Sequence, residues 1–285
     1  MRKLLLVCLL FPFILSAQNR LHVTLFGGFA NYQGDLQDKP FTLDQSNGAF
    51  GAGLKYDITS HIAVRSSFNY GRVQGDDKIN KPSLQVRNLS FQTKILELNL
   101  LGEYTLFDLD QKRFSPYVFG GIALFRFNPY AYDTLGNKLD LKPLSTEGQG
   151  LSAYPDREPY KLTQFAIPFG AGIKLRINEN AVLGYEIGLR KTFTDYLDDV
   201  SKTYVDPSAL ALERGPKAVE MSYRGGELKT GNPTYPADGE IRGGAEFKDW
   251  YYFTGITLSV AINTGNKSFL GSGKRKSQTG CPKVL

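Results

Sequence analysis

Side chains that could carry out acid–base or nucleophilic catalysis are scarce in this sequence. It contains two histidines, His22 and His61, and each stands at the start of a predicted β-strand. A hydrolase or acyltransferase with a serine or cysteine nucleophile usually needs a histidine beside it as general base. A histidine at a strand end is more simply explained by structure. We therefore predict a protein that is not an enzyme and that needs no cofactor.

Charged side chains instead fall on one face of several predicted strands. Three glutamates and four basic residues share the faces opposite the apolar ones: Lys55, Arg65, Glu97, Glu103, Lys174, Glu186 and Arg190. If the strands close into a barrel, these charges form either a polar conduction path or a set of ion pairs that fills the lumen. We favour the filled lumen, because eight strands enclose a space just wide enough for side chains and buried charges need partners of opposite sign.

An acidic cluster follows the seventh predicted strand. Asp195, Asp198 and Asp199 lie within six residues of one another. Calcium takes oxygen ligands, so one interpretation is a loop stabilised by calcium. The spacing does not match a regular ligand pattern, and we favour loop caps and solvated charges. No metal site is predicted.

The C-terminal segment is basic. Five Lys or Arg residues and no acidic residue follow Ile262, so the net charge of +6 reflects the chain ends and not a surface that binds nucleic acid. Residues 264–285 are predicted to form a periplasmic tail that binds a partner; the alternative is a disordered, solvated end. The candidate partner-binding residues are Lys274, Arg275, Lys276, Cys281, Pro282 and Lys283. Cys281 would form an intermolecular disulfide or remain a free thiol.

The N-terminus has the pattern of a secretory signal peptide. Arg2 and Lys3 precede the apolar run Leu4–Leu15, and small residues follow at Ser16-Ala17. Twelve apolar residues are too few to span a bilayer as a helix. We therefore predict a cleaved signal peptide over residues 1–17.

Alternation of apolar and small or polar residues predicts long β-strands. It is strictest in Asp249–Asn263, where Trp250, Ile256 and Leu258 share one face. Seven earlier segments complete a set of eight strands: Leu21–Tyr32, Gly48–Ile58, His61–Val73, Leu89–Phe107, Tyr117–Phe127, Leu162–Ile177 and Leu183–Phe193. Tyr117–Phe127 is apolar on both faces, so its register stays open.

The connections between these strands alternate in length. The second, fourth and sixth are short, whereas the others are long, and Asp206–Gly215 in the last has the pattern of a short helix. Bacterial outer-membrane barrels have an even strand number, short periplasmic turns and long external loops. The sequence thus predicts an all-β protein, an eight-stranded antiparallel transmembrane β-barrel with long extracellular loops, over residues 18–263.

Four short motifs resemble a known family. They are Tyr32–Leu36, Arg87–Phe91, Thr146–Gly150 and Thr194–Ser201. In their order along nearly the whole mature chain they resemble the PorG-type outer-membrane proteins of Bacteroidetes. The resemblance implies a non-enzymatic barrel associated with the type IX secretion and gliding machinery. It also implies association with the periplasmic ring, which is built from a lipoprotein and its partner protein.

The expected function combines these observations. We expect an outer-membrane barrel subunit of the type IX secretion system that anchors the periplasmic ring. Outer-membrane lipid would surround the barrel, and its tail would lie in the periplasm. No nucleic acid partner is expected. The alternative is a narrow outer-membrane channel or a small-ligand transporter.

Overall fold

The computed structural model describes residues 20–37, 39, 42 and 44–262. The predicted signal peptide, residues 1–17, and the predicted tail, residues 264–285, lie outside the described residues. Both boundaries therefore stay predictions.

Eight long antiparallel strands of the described chain form a closed barrel. Long strands that are neighbours in sequence pair with each other, and the first long strand pairs with the last, which closes the ring. This confirms the eight-stranded antiparallel barrel predicted from the sequence. The strands are β1 (Leu21–Gln33), β2 (Asn47–Asp57), β3 (Ile62–Asp76), β4 (Ser90–Thr105), β5 (Phe114–Arg126), β8 (Thr163–Asn178), β9 (Ala181–Thr192) and β10 (Trp250–Ala261).

The short and long connections lie at opposite ends of the barrel. Residues 58–61, 106–113 and 179–180 connect strands at one end, here called the turn end. Residues 34–46, 77–89, 127–162 and 193–249 connect them at the other end, here called the loop end, and their described parts form a cap over the barrel.

The cap contains short elements of its own. A small hairpin, β6 (Pro129–Tyr132) and β7 (Lys138–Asp140), extends from β4 and was not predicted from the sequence. The helices are α1 (Pro82–Gln85), α2 (Pro207–Arg214) and α3 (Pro216–Ser222). Helix α2 confirms the predicted short helix. The Asp206 carboxylate caps its N-terminus by accepting hydrogen bonds from the Ser208 and Ala209 amides.

The outer surface of the barrel is an apolar belt. Along β4, exposed Leu96, Leu98 and Leu100 alternate with buried Glu97 and Asn99. Other exposed members of the belt are Leu25, Phe29, Phe50, Leu54, Phe68, Val118, Ile122, Phe165, Ile173 and Ile256. A closed barrel with this belt has the surface of a membrane-spanning barrel. Among the described residues, no helix is both long and apolar enough to cross a membrane.

Strand β5 resolves the register that the sequence left open. Tyr117, Phe119 and Phe125 point into the barrel, whereas Val118 and Ile122 are exposed on the belt. The Phe119 ring fits against the paired glycines of β8 and β9: a β-carbon on Gly170 would lie 2.6 Å from it, and one on Gly188 would lie 2.9 Å from it.

Aromatic residues fill the half of the lumen nearest the loop end. Tyr32, Phe91, Phe125, Tyr251 and Phe253 are each at most 2% exposed and belong to one core cluster. This cluster continues into the cap through Leu36, Leu197 and Val200. The cap and the upper barrel therefore share a hydrophobic core.

Candidate functional site

The half of the lumen nearest the turn end, here called the lower lumen, holds a four-residue ion-pair cluster. Arg65 on β3 bridges two acids: its Nε lies 2.9 Å from Glu103 Oε1, and its Nη2 lies 2.9 Å from Glu186 Oε2. Lys174 on β8 lies 2.6 Å from the second oxygen of Glu103, and the Tyr117 hydroxyl donates to Glu186 at 2.6 Å. All four charged side chains are under 9% exposed. Four strands are thereby tied together across the barrel.

The middle of the lumen is occupied by a second ion pair. Glu97 on β4 accepts two hydrogen bonds from Arg190 on β9, at 3.0 and 3.2 Å. The same carboxylate accepts from Asn69, Asn99 and Tyr251 at 2.8–2.9 Å. Glu97 is fully buried, so these donors replace the water that its charge has lost.

Lys55 has a different partner from the other six predicted lumen charges. Its Nζ lies 3.1 Å from Asp57 on the same strand, and Asp57 also lies 2.6 Å from His22 Nε2. These residues, with His61, line a cavity of about 450 Å³ at the turn end. The structure thus brings Arg65, Glu103, Lys174 and Glu186 together and pairs Glu97 with Arg190. Lys55 instead lies at the turn-end opening of the barrel.

Little space remains between the lumen side chains. A cavity of about 10 Å³ lies among Arg65, Asn69, Glu186 and Arg190. That is about the space that one water molecule needs. Charges and aromatic rings therefore close this section of the lumen to a continuous column of water.

The predicted partner-binding residues cannot be placed in this geometry. Lys274, Arg275, Lys276, Cys281, Pro282 and Lys283 all lie outside the described residues.

The acidic cluster of the cap is built from hydrogen bonds. Asp198 accepts from the Tyr32 hydroxyl at 2.5 Å and from the Val200 amide at 2.9 Å. Asp199 accepts from Thr146 and Tyr160 at 2.5 and 2.7 Å. The part of the chain that the structure describes contains no group of three or more His, Cys, Asp or Glu side chains that could hold a metal ion. Asp198 caps its own loop through the Val200 amide, and Asp199 joins cap segments through two side-chain hydroxyls. The expectation of solvated charges is wrong, because Asp195, Asp198 and Asp199 are each at most 2% exposed.

Burial perturbs the protonation of this cluster. It raises the pKa of Asp195 to about 7, with a smaller contribution from the negative charges of Asp35 and Glu147. Burial likewise raises the pKa of Asp199 to about 6, and the nearby Arg242 guanidinium opposes this rise. Asp195 therefore keeps its proton to a higher pH than an exposed aspartate does, and Asp199 does so to a smaller extent.

The four motifs that carry the family resemblance meet in this cap. Tyr32 bonds to Asp198, and Thr146 bonds to Asp199, so that three motifs come together. The fourth contributes Arg87, which donates to the Asp35 carbonyl at 3.0 Å and to the carbonyl of Arg242. The motifs thus form one connected network at the loop end.

Several residues of this network were not identified from the sequence. Arg242 pairs with Glu147 at 3.0 Å and donates to the Asp199 carbonyl at 2.7 Å. Asp249 accepts from the Leu197 amide and from the Tyr32 hydroxyl. Neither Arg242 nor Asp249 lies in a recognisable motif. The sequence features that could have drawn attention to them are the glycine that follows Arg242 and the position of Asp249 directly before β10.

The sequence relationship of the chain is shown by a family match. The sequence model of DUF6089, described as a domain of unknown function, matches residues 2–211. The chain belongs to the DUF6089 family. In this member the match extends from before β1 into helix α2 and includes all four cap motifs. No curated protein matches the sequence.

Solved structures with a similar chain path are distant in sequence. Neisserial surface protein A has 10% identity and a TM-score of 0.41, with 85% of this chain and 97% of that chain covered. Ail, the attachment invasion locus protein of Yersinia pestis, has 8% identity and a TM-score of 0.40, covering 86% and 99%. The outer membrane protein OprG of Pseudomonas aeruginosa has 12% identity and a TM-score of 0.40, covering 86% and 99%. The barrel assignment rests instead on the strand pairing of this chain.

Proposed function

We propose that this DUF6089 protein is a non-enzymatic, non-conducting barrel of the outer membrane that serves as a membrane anchor. The observation that carries the proposal is the filled lumen. Glu97–Arg190 and the Arg65 cluster occupy its middle and lower parts, and an aromatic core occupies its upper part. A barrel with an apolar belt and no open lumen is suited to holding something at the membrane.

The proposed assembly is the type IX secretion and gliding machinery, with the periplasmic ring lipoprotein and its partner subunit as binding partners. Support for this step comes from the resemblance of the four motifs to PorG-type proteins. In this arrangement the loop end faces the cell exterior, and the turn end and residues 264–285 face the periplasm. The basic residues from Lys274 to Lys283 would attract an acidic ring surface, an attraction that salt weakens.

Conductance in planar lipid bilayers tests the anchor against the alternative of a narrow channel. The purified barrel should insert without discrete current steps. For comparison, the variant Arg65→Ala/Glu186→Ala removes both partners of one buried ion pair, leaves Lys174 paired with Glu103, and should leak more than the wild type. Stable current steps through the wild-type barrel would reject the anchor and favour the channel.

Affinity purification from native membranes tests the proposed assembly. A barrel lacking Ser272–Leu285 should remain in the outer membrane but lose the ring subunits. Cys281→Ser should remove any higher-mass band on a non-reducing gel. If the truncated barrel retains the ring subunits at wild-type yield, the tail is not the binding site. If the full-length barrel retains none, the type IX assignment is wrong.

A further inference from the structure

Three basic side chains stand together where the apolar belt meets the cap. Arg72 on β3, Lys94 on β4 and Arg126 on β5 are exposed on the outer face of three adjacent strands, near their loop ends. These residues are here called the basic patch. Alternate residues of a strand share a face, so the patch continues the same outward rows that form the belt.

The strand register brings the three charges close to one another. Arg72 lies directly opposite Lys94, and Arg126 lies opposite Leu96, one outward position along β4 from Lys94. In an antiparallel pair, directly opposed β-carbons are about 4.5–5.5 Å apart, and diagonal neighbours are about 7–8 Å apart. A single anionic head group can therefore reach all three side chains.

The patch has no compensating charge among the described residues. Arg72 donates to the neutral side-chain carbonyl of Asn47 at 3.2 Å, and none of the three patch residues forms an ion pair with a described residue. Like charges that lie directly opposite each other destabilise a sheet. One basic side chain beside lipid can simply extend to water. Three adjacent ones repel one another, and an anion placed among them turns this repulsion into attraction.

The basic character belongs to only one end of these strands. Near the turn end, the same outward rows carry exposed Ile62 on β3, Tyr104 on β4 and Phe114 on β5. Apolar and aromatic residues are common where a barrel meets the membrane interface. On these three strands the two edges of the belt therefore differ in charge, and only the edge beside the cap is suited to an anionic lipid.

A polar cavity lies beyond the patch along β3 and β4. Its volume is about 210 Å³, and Gln74, Ser90, Gln92 and Tyr132 contribute to its lining. Gln74 and Gln92 form the next outward pair after the first two patch residues. Amide and hydroxyl groups can both donate and accept hydrogen bonds, as sugar hydroxyls do. An apolar surface, a cluster of positive charge and a polar cavity thus follow one another along the same two strands.

We propose that the basic patch binds a phosphorylated glycolipid of the outer leaflet. Its phosphates would lie among the three basic side chains, its acyl chains against belt residues such as Phe68 and Leu96, and its sugar towards the polar cavity. Arginine is suited to phosphate because its guanidinium can donate two parallel hydrogen bonds to it. A free phosphate would leave the belt unused, and a phospholipid without a sugar would leave the cavity unused.

This inference rests on one part of the proposed function, the outer-membrane location with the loop end outwards. It does not depend on the secretion machinery. Loss of the ring subunits from the purified full-length barrel would refute the type IX assignment and leave the lipid site untouched.

Native mass spectrometry of the full-length barrel in detergent tests the site without a partner protein. The probes are diphosphoryl lipid A, the same lipid with its phosphates removed, phosphatidylglycerol and inorganic phosphate. Diphosphoryl lipid A should bind most tightly of the four. Inorganic phosphate should not displace it, because phosphate alone has no contact with the belt.

Removing the patch charges should weaken this binding strongly. Each basic residue beside an anionic lipid surface contributes a factor of about 5 in affinity. Arg72→Gln/Lys94→Gln/Arg126→Gln should therefore bind diphosphoryl lipid A about 100-fold more weakly, while it keeps the heat-modifiable folded band on a gel. The matched control Arg20→Gln/Lys112→Gln/Arg113→Gln removes two arginines and one lysine from exposed positions at the turn end and should bind like the wild type.

Lys94→Gln alone gives a second test with little risk to folding. It removes the central charge and its repulsion with Arg72, so the barrel should be at least as stable as the wild type. Its affinity for diphosphoryl lipid A should still fall about 5-fold. The proposal is overturned if the dephosphorylated lipid or phosphatidylglycerol binds as tightly as diphosphoryl lipid A, if inorganic phosphate displaces the lipid, or if the triple patch variant binds like the turn-end control.

Discussion

Removing one partner of the central ion pair should destabilise the barrel in a way that depends on which partner is removed. Glu97 accepts five hydrogen bonds, from Arg190, Asn69, Asn99 and Tyr251. In Glu97→Leu the buried Arg190, which is 2% exposed, would keep its hydrogen bond to the Gly188 carbonyl at 2.6 Å but would lose the carboxylate that balances its charge. Breaking a buried ion pair costs about 3–5 kcal/mol. We expect Glu97→Leu to lie at the upper end of that range.

Arg190→Met should cost less, about 3 kcal/mol. Glu97 would keep three neutral donors, and a carboxyl can also take up a proton, whereas a guanidinium cannot give one up. The loss in Arg190→Met should therefore shrink as the pH is lowered, whereas the loss in Glu97→Leu should not.

Urea unfolding in lipid vesicles measures both losses, because fluorescence from Trp250, the single tryptophan, reports on β10. The control is Lys138→Met, which removes an exposed ion pair with Asp140 and should cost at most about 1 kcal/mol. The reasoning is refuted if Glu97→Leu costs no more than this control, or if Arg190→Met is the more damaging of the two.

Two further predictions concern the belt and the cap. Leu98→Arg and Ile256→Arg place a charge on exposed belt positions, and each should cost roughly 2–4 kcal/mol of folding free energy. The loss should be seen on a gel as disappearance of the heat-modifiable folded band, whereas the control Leu212→Arg, on the exposed side of cap helix α2, should keep that band. Unchanged folding of both belt variants would mean that the lipid face is misassigned. The pKa of Asp195 is raised to about 7 in the folded cap from an ordinary value of about 3.9, so the folded cap binds this proton more tightly than the unfolded chain does. The stability that this proton contributes is therefore complete below about pH 4 and is lost as the pH rises towards 7. Asp195→Asn should flatten this part of the pH dependence of the urea midpoint, and a variant whose midpoint keeps the wild-type slope would contradict it.

The barrel was predictable from the sequence because its signals are local. Alternation along β4 and β10 follows directly from the two-residue period of a strand whose faces meet lipid and lumen. The short connections at 58–61 and 179–180 indicate antiparallel neighbours, and Asp206-Pro207 is a local signal for the start of α2. None of these features depends on residues distant in sequence.

The cap was not predictable because its contacts join distant residues. Tyr32 and Asp198 are 166 positions apart, and Arg87 and Arg242 are 155 apart. Nothing near either residue in sequence indicates its partner, which is set only when the closed barrel brings four loops to one end. The aromatic filling of the upper lumen was missed for a related reason, since alternation separates the faces of a strand but does not tell a polar interior from a hydrophobic one.

The geometry of the four family motifs limits what their resemblance can mean. Asn88 and Asp199 have positive φ values of 53° and 66°, and Gly148 has 79°, so three motifs contain a residue suited to a left-handed turn. Most of their side chains are buried in the cap, where they bond to one another and to other cap residues such as Asp77, Tyr160 and Arg242. These motifs therefore help to hold the loops of this chain over the barrel. In the proposed arrangement a periplasmic ring would contact the turn end, where none of the motifs lies. The proposed assembly thus has to be tested through the tail and the turn end, whereas the proposed lipid site is tested beside the loop end.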